Sequence, residues 1–301
     1  MVTDRGNFPT DRYVLEGLCE RRGLELRRFD ADPAEGVRRA ELEPALAETG
    51  PALVVVSQVD YRSGALADME AIQRLAGEHD SIVVWDLSHA VGAVPIDLSA
   101  AGAELAVGCS YKYLNGGPGS PAWLYVAERL QSSLRSPIQG WFGQRDQFAM
   151  ERDYDPAAGA TRFLAGTPPV LGLVAVEEGV ALLAEAGIVA LRAKSVALTE
   201  LAIDLHRAWL EPLGFALATP VDAQRRGSHV TLRHPDAWPI RNALAERADV
   251  VVDFRAPDAI RIGIAPIYTR HVDVWDALDR LRALVEAGEH RDFESNPGRV
   301  T

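Results

Sequence analysis

The amino-acid sequence predicts an α/β fold: a large N-terminal domain built on a mixed, mostly parallel sheet, followed by a smaller C-terminal α+β domain. Three observations carry this. Apolar runs rich in Val and Ile recur without polar alternation, as in strands covered on both faces. Amphipathic stretches at helical spacing separate them. Towards the C-terminus, shorter strand-like runs are interleaved with helices of a second unit.

The elements follow in order. Arg12 to Arg22 reads as a helix, and Ala52 to Val59 (ALVVVSQV) as a buried strand. Leu66 to His79 is amphipathic at helical spacing, and Ser81 to Leu87 (SIVVWDL) is a second strand. Leu105 to Gly108 is a short third strand, and Trp123 to Val126 adds another after a Gly/Pro-rich turn. From Arg135 to Pro169 aromatics, charges and prolines mix without period, a pattern typical of functional or interfacial segments. Leu171 to Ala186 and Ile188 to Leu210 read as two helices broken near Gly187. Phe215 to Ala218, His229 to Leu232, Val250 to Phe254 and Ile260 to Ile264 read as strands. Pro239 to Arg247 and Val272 to Ala287 read as helices. The expected division is a cofactor-sized large domain at 1–175 with an interface segment at 135–170. Connecting helices and the small domain take 176–290, and a frayed tail takes 291–301.

Composition narrows the function. The 301 residues carry a formal net charge of −12, which repels phosphate backbones and anionic lipid. Nucleic acid and membrane are therefore not expected as partners. No apolar run approaches the roughly 18 residues of a membrane helix, and MVTDRGNFPTDRY lacks the apolar core of a signal peptide. Cys19 and Cys109 make no disulfide framework and lack metal-ligand spacing, so the expected location is cytoplasmic and no metal is expected. All but two of the 31 basic residues are arginine, which cannot act as an amine nucleophile. Amine chemistry can fall only to Lys112 or Lys194.

The sharpest local feature is the run from Ser110 to Gly119, SYKYLNGGPG. It puts Lys112 just past an apolar strand and before a Gly-rich loop, where α/β sheets place ligand sites. The loop is neither G-x-G-x-x-G nor a Walker sequence. Asp86 ends the strand SIVVWD, with His89 three residues on. A carboxylate at the end of an apolar strand needs a partner. Pyridoxal phosphate (PLP) offers one, being held as a lysine Schiff base with an acidic residue on its pyridinium nitrogen.

DLSHAVGAVPIDL followed by AVGCSYKYLNGGPGSPAWLYV resembles the kynureninases, a family of fold-type-I PLP enzymes. NFPTD at Asn7 to Asp11, VSQVDYRSGALADM, RRGSHVTL and DFRAPDAIRIGIAPIYTRHVDVWDAL match the family's patterns in the same order. The resemblance runs from about Asp4 to Ala287. It implies PLP as cofactor and hydrolysis of L-kynurenine, or its 3-hydroxy form, to anthranilate (or 3-hydroxyanthranilate) and L-alanine in tryptophan breakdown. By position it implies that Lys112 forms the Schiff base and moves protons, while Asp86 pairs with the ring nitrogen beside His89. Phe8 stacks on the ring, with Pro9, Thr10 and Asp11 in the same segment. Ser57 and Tyr111 contact the cofactor, Tyr111 through its phosphate. Trp141 and Thr167 reach the phosphate side from the partner subunit of a homodimer, and Arg261 clamps the substrate α-carboxylate.

The departures from the pattern are specific. Glutamine stands at Gln58 and Gln144, where histidine is common in the family. Family members also have a long stretch before NFPTD, with a Thr-containing loop for the cofactor phosphate. These 301 residues alone are therefore expected to bind PLP weakly. Two other classes fit the same residues. One is another class V PLP enzyme, an aminotransferase or a cysteine desulfurase. The other is a non-catalytic remnant, or a subunit completed by a separate N-terminal polypeptide. A desulfurase needs a mobile cysteine nucleophile, whereas Cys109 sits on an apolar strand and Cys19 in a helix.

Overall fold

Val54, Val55 and Val56 are all buried on β3 (Leu53–Ser57), as a strand sandwiched between helices requires. The computed structural model, which describes residues 1–150 and 152–294, sets this strand near the middle of a six-stranded sheet. The order is β2 (Arg27–Phe29), β1 (Val2–Asp4), β3, β4 (Ile82–Asp86), β5 (Leu105–Cys109) and β6 (Ala122–Val126). All neighbours are parallel except β6, which runs antiparallel to β5. The sheet is thus mixed and mostly parallel.

Helices α1 (Pro9–Arg22), α2 (Arg39–Thr49) and α3 (Met69–Glu78) connect these strands. Met69, Ile72, Leu75 and Ala76 form the buried stripe of α3. Asp68 caps its start by accepting a hydrogen bond from the Ala71 amide at 3.0 Å. Trp85 on β4 is fully buried, and its indole N–H finds Gln73 of α3 at 3.1 Å.

A short helix, α4 (Glu128–Gln131), and two 3₁₀ turns, Trp141–Gly143 and Gly159–Phe163, make up the loosely patterned middle of the chain. Then come α5 (Val170–Ala186) and α6 (Ile188–Leu205), which is extended by a π turn over His206–Leu210. The second sheet is antiparallel, in the order β7 (Ala216–Leu217), β8 (His229–Arg233), β10 (Ala259–Gly263) and β9 (Asp253–Arg255). Helices α7 (Ala237–Arg247) and α8 (His271–Glu286) cover it. Each sheet has its own apolar core, the first around Leu42, Val56, Ile72 and Trp85, the second around Ile203, Phe215, Ile240 and Leu278.

The structure differs from the sequence reading in several places. Helix α1 begins at Pro9 rather than Arg12, because proline suits the first helical turn, where its missing N–H costs nothing. Strands β1 and β2 and helix α2 are additional elements. The strand expected at Val250 to Phe254 is β9, shifted to Asp253–Arg255. Near the tail, Glu289–Asp292 forms a turn with His290 buried; residues 295–301 of the expected frayed tail lie outside the described residues.

Candidate active site

The C-terminal ends of four parallel strands converge on one cavity, the usual ligand position in such sheets. β1 leads into Asn7 and Phe8, β3 ends at Ser57, β4 ends at Asp86, and β5 leads into Ser110, Tyr111 and Lys112. The cavity holds about 560 Å³, within the range of small-molecule sites. Phe8, His89, Tyr111, Lys112 and Arg261 all line it.

Local hydrogen bonds fix the lysine loop. The Asn115 amide donates to the Lys112 carbonyl at 2.9 Å, and the Gly116 amide to the Ser110 carbonyl at 2.9 Å. Gly92 holds the turn after His89 at φ +81, and a Cβ there would sit 2.6 Å from the Tyr113 carbonyl oxygen. Only glycine lets the His89 turn and the lysine loop approach this closely. Lys112 forms no ion pair among the described residues. Its Nζ faces the Tyr111 ring at 5.0 Å and the Phe8 ring at 5.8 Å.

Acidic groups collect near the end of β4. The Ser88 amide donates to Asp86 Oδ1 at 2.8 Å, and Ser57 Oγ lies 3.5 Å from Oδ2 while bonding Asn7 at 2.9 Å. Asp11, in the first turn of α1, lies against Asp86. Burial first, then the charge of Asp86 and their shared hydrogen bond, push the Asp11 carboxyl up to about 7. Its Oδ2 is buried without a partner. Pro9 and Thr10 stand beside it in the same turn.

The second sheet supplies the opposite wall. Arg261 on β10 pairs with Asp253 on β9, Nε to Oδ2 at 3.1 Å, and its Nη1 donates to the Tyr61 carbonyl at 2.7 Å. Burial opposes ionisation of Asp253, but the Arg261 and Arg255 guanidiniums outweigh it and hold the carboxyl below its usual range. His89 Nε2 lies 3.1 Å from Arg261 Nη1. Burial, then Lys112, His229 and Arg261, hold His89 well below the usual imidazole range, so it is neutral.

Seven expected site residues lie outside the cavity lining: Pro9, Thr10, Asp11, Ser57 and Asp86, which stand at its margin, and Trp141 and Thr167. Trp141 packs edge-on against Phe142 and Phe148 and is exposed, and Thr167 is exposed in the loop before α5. Gln58 is buried, and Gln144 donates to the Asp153 carbonyl at 3.3 Å. Neither cysteine lines the cavity: Cys19 is buried in α1, and Cys109 Sγ faces the Ser88 carbonyl at 3.8 Å.

The lining also holds Tyr113, His229, Asp253, Arg255, Gly263 and Tyr268, none of which sequence reasoning singled out. Most lie in the segments RRGSHVTL and DFRAPDAIRIG, yet nothing in their residue types separated them from ordinary strand residues. Among the described residues no helix is long and apolar enough to cross a membrane, and no His/Cys/Asp/Glu cluster could hold a metal.

The donor set suits PLP. It combines an unpaired amine, an aromatic face in Phe8, a carboxylate at a strand end, and the unpartnered Asp11 oxygen behind it.

Comparison with known proteins agrees with this geometry. The chain resembles the cysteine desulfurase of Thermococcus onnurineus NA1 in fold, with a TM-score of 0.80 at 19% identity over 95% of this chain and 72% of that one. It likewise resembles a C-DES variant with glycine covalently linked to its PLP cofactor, with a TM-score of 0.80 at 17% identity over 93% and 73%. The family described as kynureninase C-terminal domain matches residues 191–281. The kynureninases of Pseudomonas fluorescens and Burkholderia mallei (strain SAVP1) are each 40% identical over 288 residues, which is 95% of this chain and 67% of theirs. Identity at that level along nearly the whole chain means that the chain belongs to the kynureninase family.

Proposed function

We propose that the protein is a PLP-dependent hydrolase that cleaves the Cβ–Cγ bond of L-kynurenine, or its 3-hydroxy form. The products are anthranilate (or 3-hydroxyanthranilate) and L-alanine. The observation that carries this reading is the unpaired Lys112 amine between the Phe8 and Tyr111 rings, with Asp86 ending the neighbouring strand.

When bound, PLP supplies an electron sink conjugated to the substrate amine. The chain's residues do the rest. Phe8 would give the cofactor ring an apolar face, and Tyr111 would contact its phosphate. Asp86 would accept the ring N–H, with the raised Asp11 carboxyl beside it. Ser57 and the Ser88 amide keep the Asp86 carboxylate in place. Lys112 Nζ would take the α-proton and hold it for return. Arg261 holds the α-carboxylate. Water adds at the γ-carbonyl; the Cβ–Cγ bond breaks with its electron pair left on Cβ, where a proton completes the methyl group of alanine, and the aryl acid leaves.

The exposed apolar side chains of α5, among them Leu171, Val174 and Leu182, support a homodimer in which Trp141 and Thr167 reach the partner's cofactor. The two separate cores support a division near residue 175, and a cytoplasmic role in tryptophan breakdown belongs to the same proposal. The test is direct: the purified protein, loaded with PLP and given L-kynurenine, should release anthranilate and L-alanine in equal amounts. A Lys112→Ala variant should release neither. Transamination without anthranilate would overturn the reading.

A further inference from the structure

Four of the five guanidinium N–H groups of Arg261 are already engaged. Nε and one hydrogen of Nη2 go to Asp253. Both hydrogens of Nη1 are taken, by the Tyr61 carbonyl at 2.7 Å and by His89 Nε2 at 3.1 Å. One N–H remains, and a carboxylate gripped at both oxygens needs two donors. The second must come from another residue of the same wall.

His229 is placed to supply it. It lines the cavity and is only 1% exposed, and neither ring nitrogen has a partner. A buried imidazole with both nitrogens idle is costly. The strand register explains where it points. On the β8–β10 ladder His229 stands opposite Gly263, and Arg261 opposite Thr231, so all four face the same side of the sheet. Gly263 has no side chain, which leaves the space beside His229 open to the cavity.

The imidazole is boxed from behind. Gly64 sits at φ +76, and a Cβ there would lie 2.8 Å from the His229 carbonyl oxygen and 3.1 Å from Nε2. The His89 ring meets it edge-on at 5.7 Å. Burial, and then Arg261 and Arg255, disfavour a charged ring; the Asp60 backbone opposes them, and Lys112 adds to them. Arg255, the other basic residue nearby, gives one Nη2 hydrogen to Asp253 at 3.3 Å and faces the Tyr61 ring, with its Nε left without a partner.

We propose that His229 is a substrate-contacting residue: one ring N–H donates to the α-carboxylate oxygen that Arg261 does not hold, so the pair selects amino acids with a free α-carboxylate. The inference rests on the PLP-dependent reading of this cavity.

The variant test uses the PLP-loaded protein with L-kynurenine and with the amine that lacks its α-carboxylate; L-alanine serves the second readout. His229→Phe keeps an aromatic ring but removes the N–H. The Michaelis constant for L-kynurenine should rise about ten- to a hundredfold, the span of one hydrogen bond to a charged group. The turnover number should stay within about threefold, and amine binding, read from the cofactor absorbance, should not change. Equal weakening of both ligands, or of neither, overturns the inference. The parent protein gives a second readout that needs no folded variant. L-Alanine should shift the ¹⁵N resonances of the His229 imidazole and the amine should not; an unmoved resonance also overturns it. If neither ligand alters the cofactor absorbance of the parent, the cofactor reading falls and takes this inference with it.

Discussion

Asp11 and Asp86 lie against each other across the junction of α1 and β4, and the Asp11 carboxyl is pushed up to about 7 by burial and by its neighbour's charge. In the cofactor-free protein the folded state keeps a proton that the unfolded chain releases near the usual 3.8. This contribution to stability is complete below that value and is lost as pH rises to about 7. Asp4, raised to about 7 by burial and Asp60, acts in the same direction. The buried neutral His89 and His229 act in the opposite sense, weakening the fold as pH falls below 6.5. A difference curve isolates the carboxyl. Asp11→Asn should gain stability relative to the parent between pH 4 and 7, by less than about 1.4 kcal/mol per pH unit because Asp11 keeps some solvent contact. Urea unfolding at several pH values measures it, and a flat difference would show that Asp11 is ionised throughout.

Lys112 should be the only residue that carries the cofactor. Lys194 lies on α6, away from the cavity lining. Borohydride reduction of the PLP-loaded protein and peptide mapping should place the label on Lys112. A label on Lys194 alone would remove the basis of the site.

Asp86→Asn should fold and lose most of its activity. The amide keeps the shape but not the charge that favours a protonated ring nitrogen. We expect turnover to fall about a hundredfold or more, the usual cost of losing one pre-placed electrostatic partner. Near-parental turnover would mean that another group holds the nitrogen.

Gly64→Ala should destabilise the protein by at least about 2 kcal/mol. The backbone is left-handed there, and the new methyl would meet the His229 carbonyl. Thermal unfolding with and without PLP reads the loss, and an unchanged midpoint would mean that the loop can move aside.

Light scattering should give twice the monomer mass. The apolar side chains exposed on α5, with Trp141 and Phe148 nearby in sequence, suit burial against a second copy. A monomer that still holds PLP tightly would exclude a shared site.

Sequence patterns revealed those parts of the site whose residue type conflicted with their surroundings. Asp86 stood out as a carboxylate closing an apolar strand, and Lys112 as one of two lysines, set in a glycine-rich turn. Tyr61, His229 and Arg255 gave no such contrast, because their role comes from a wall formed by another part of the chain. Strands β1 and β2 were hidden for a related reason. VTD and RRF are short and polar, and Thr3 is buried only because its hydroxyl donates to the Val55 carbonyl at 2.7 Å. Helix α2 carries Pro44 and few buried side chains, so its period is faint.

The bond from Arg261 to the Tyr61 carbonyl spans 200 residues of chain. On the ribosome, the half that carries Lys112 and Asp86 emerges long before the arginine wall exists. For that interval the nascent chain presents an amine and an acid with no means of selecting a carboxylate, and the wall closes only when β10 has been made and has docked. On the roles proposed for Arg261 and Lys112, substrate choice is thus acquired late in synthesis, and a stalled or clipped product would carry the lysine without the residues that restrain it.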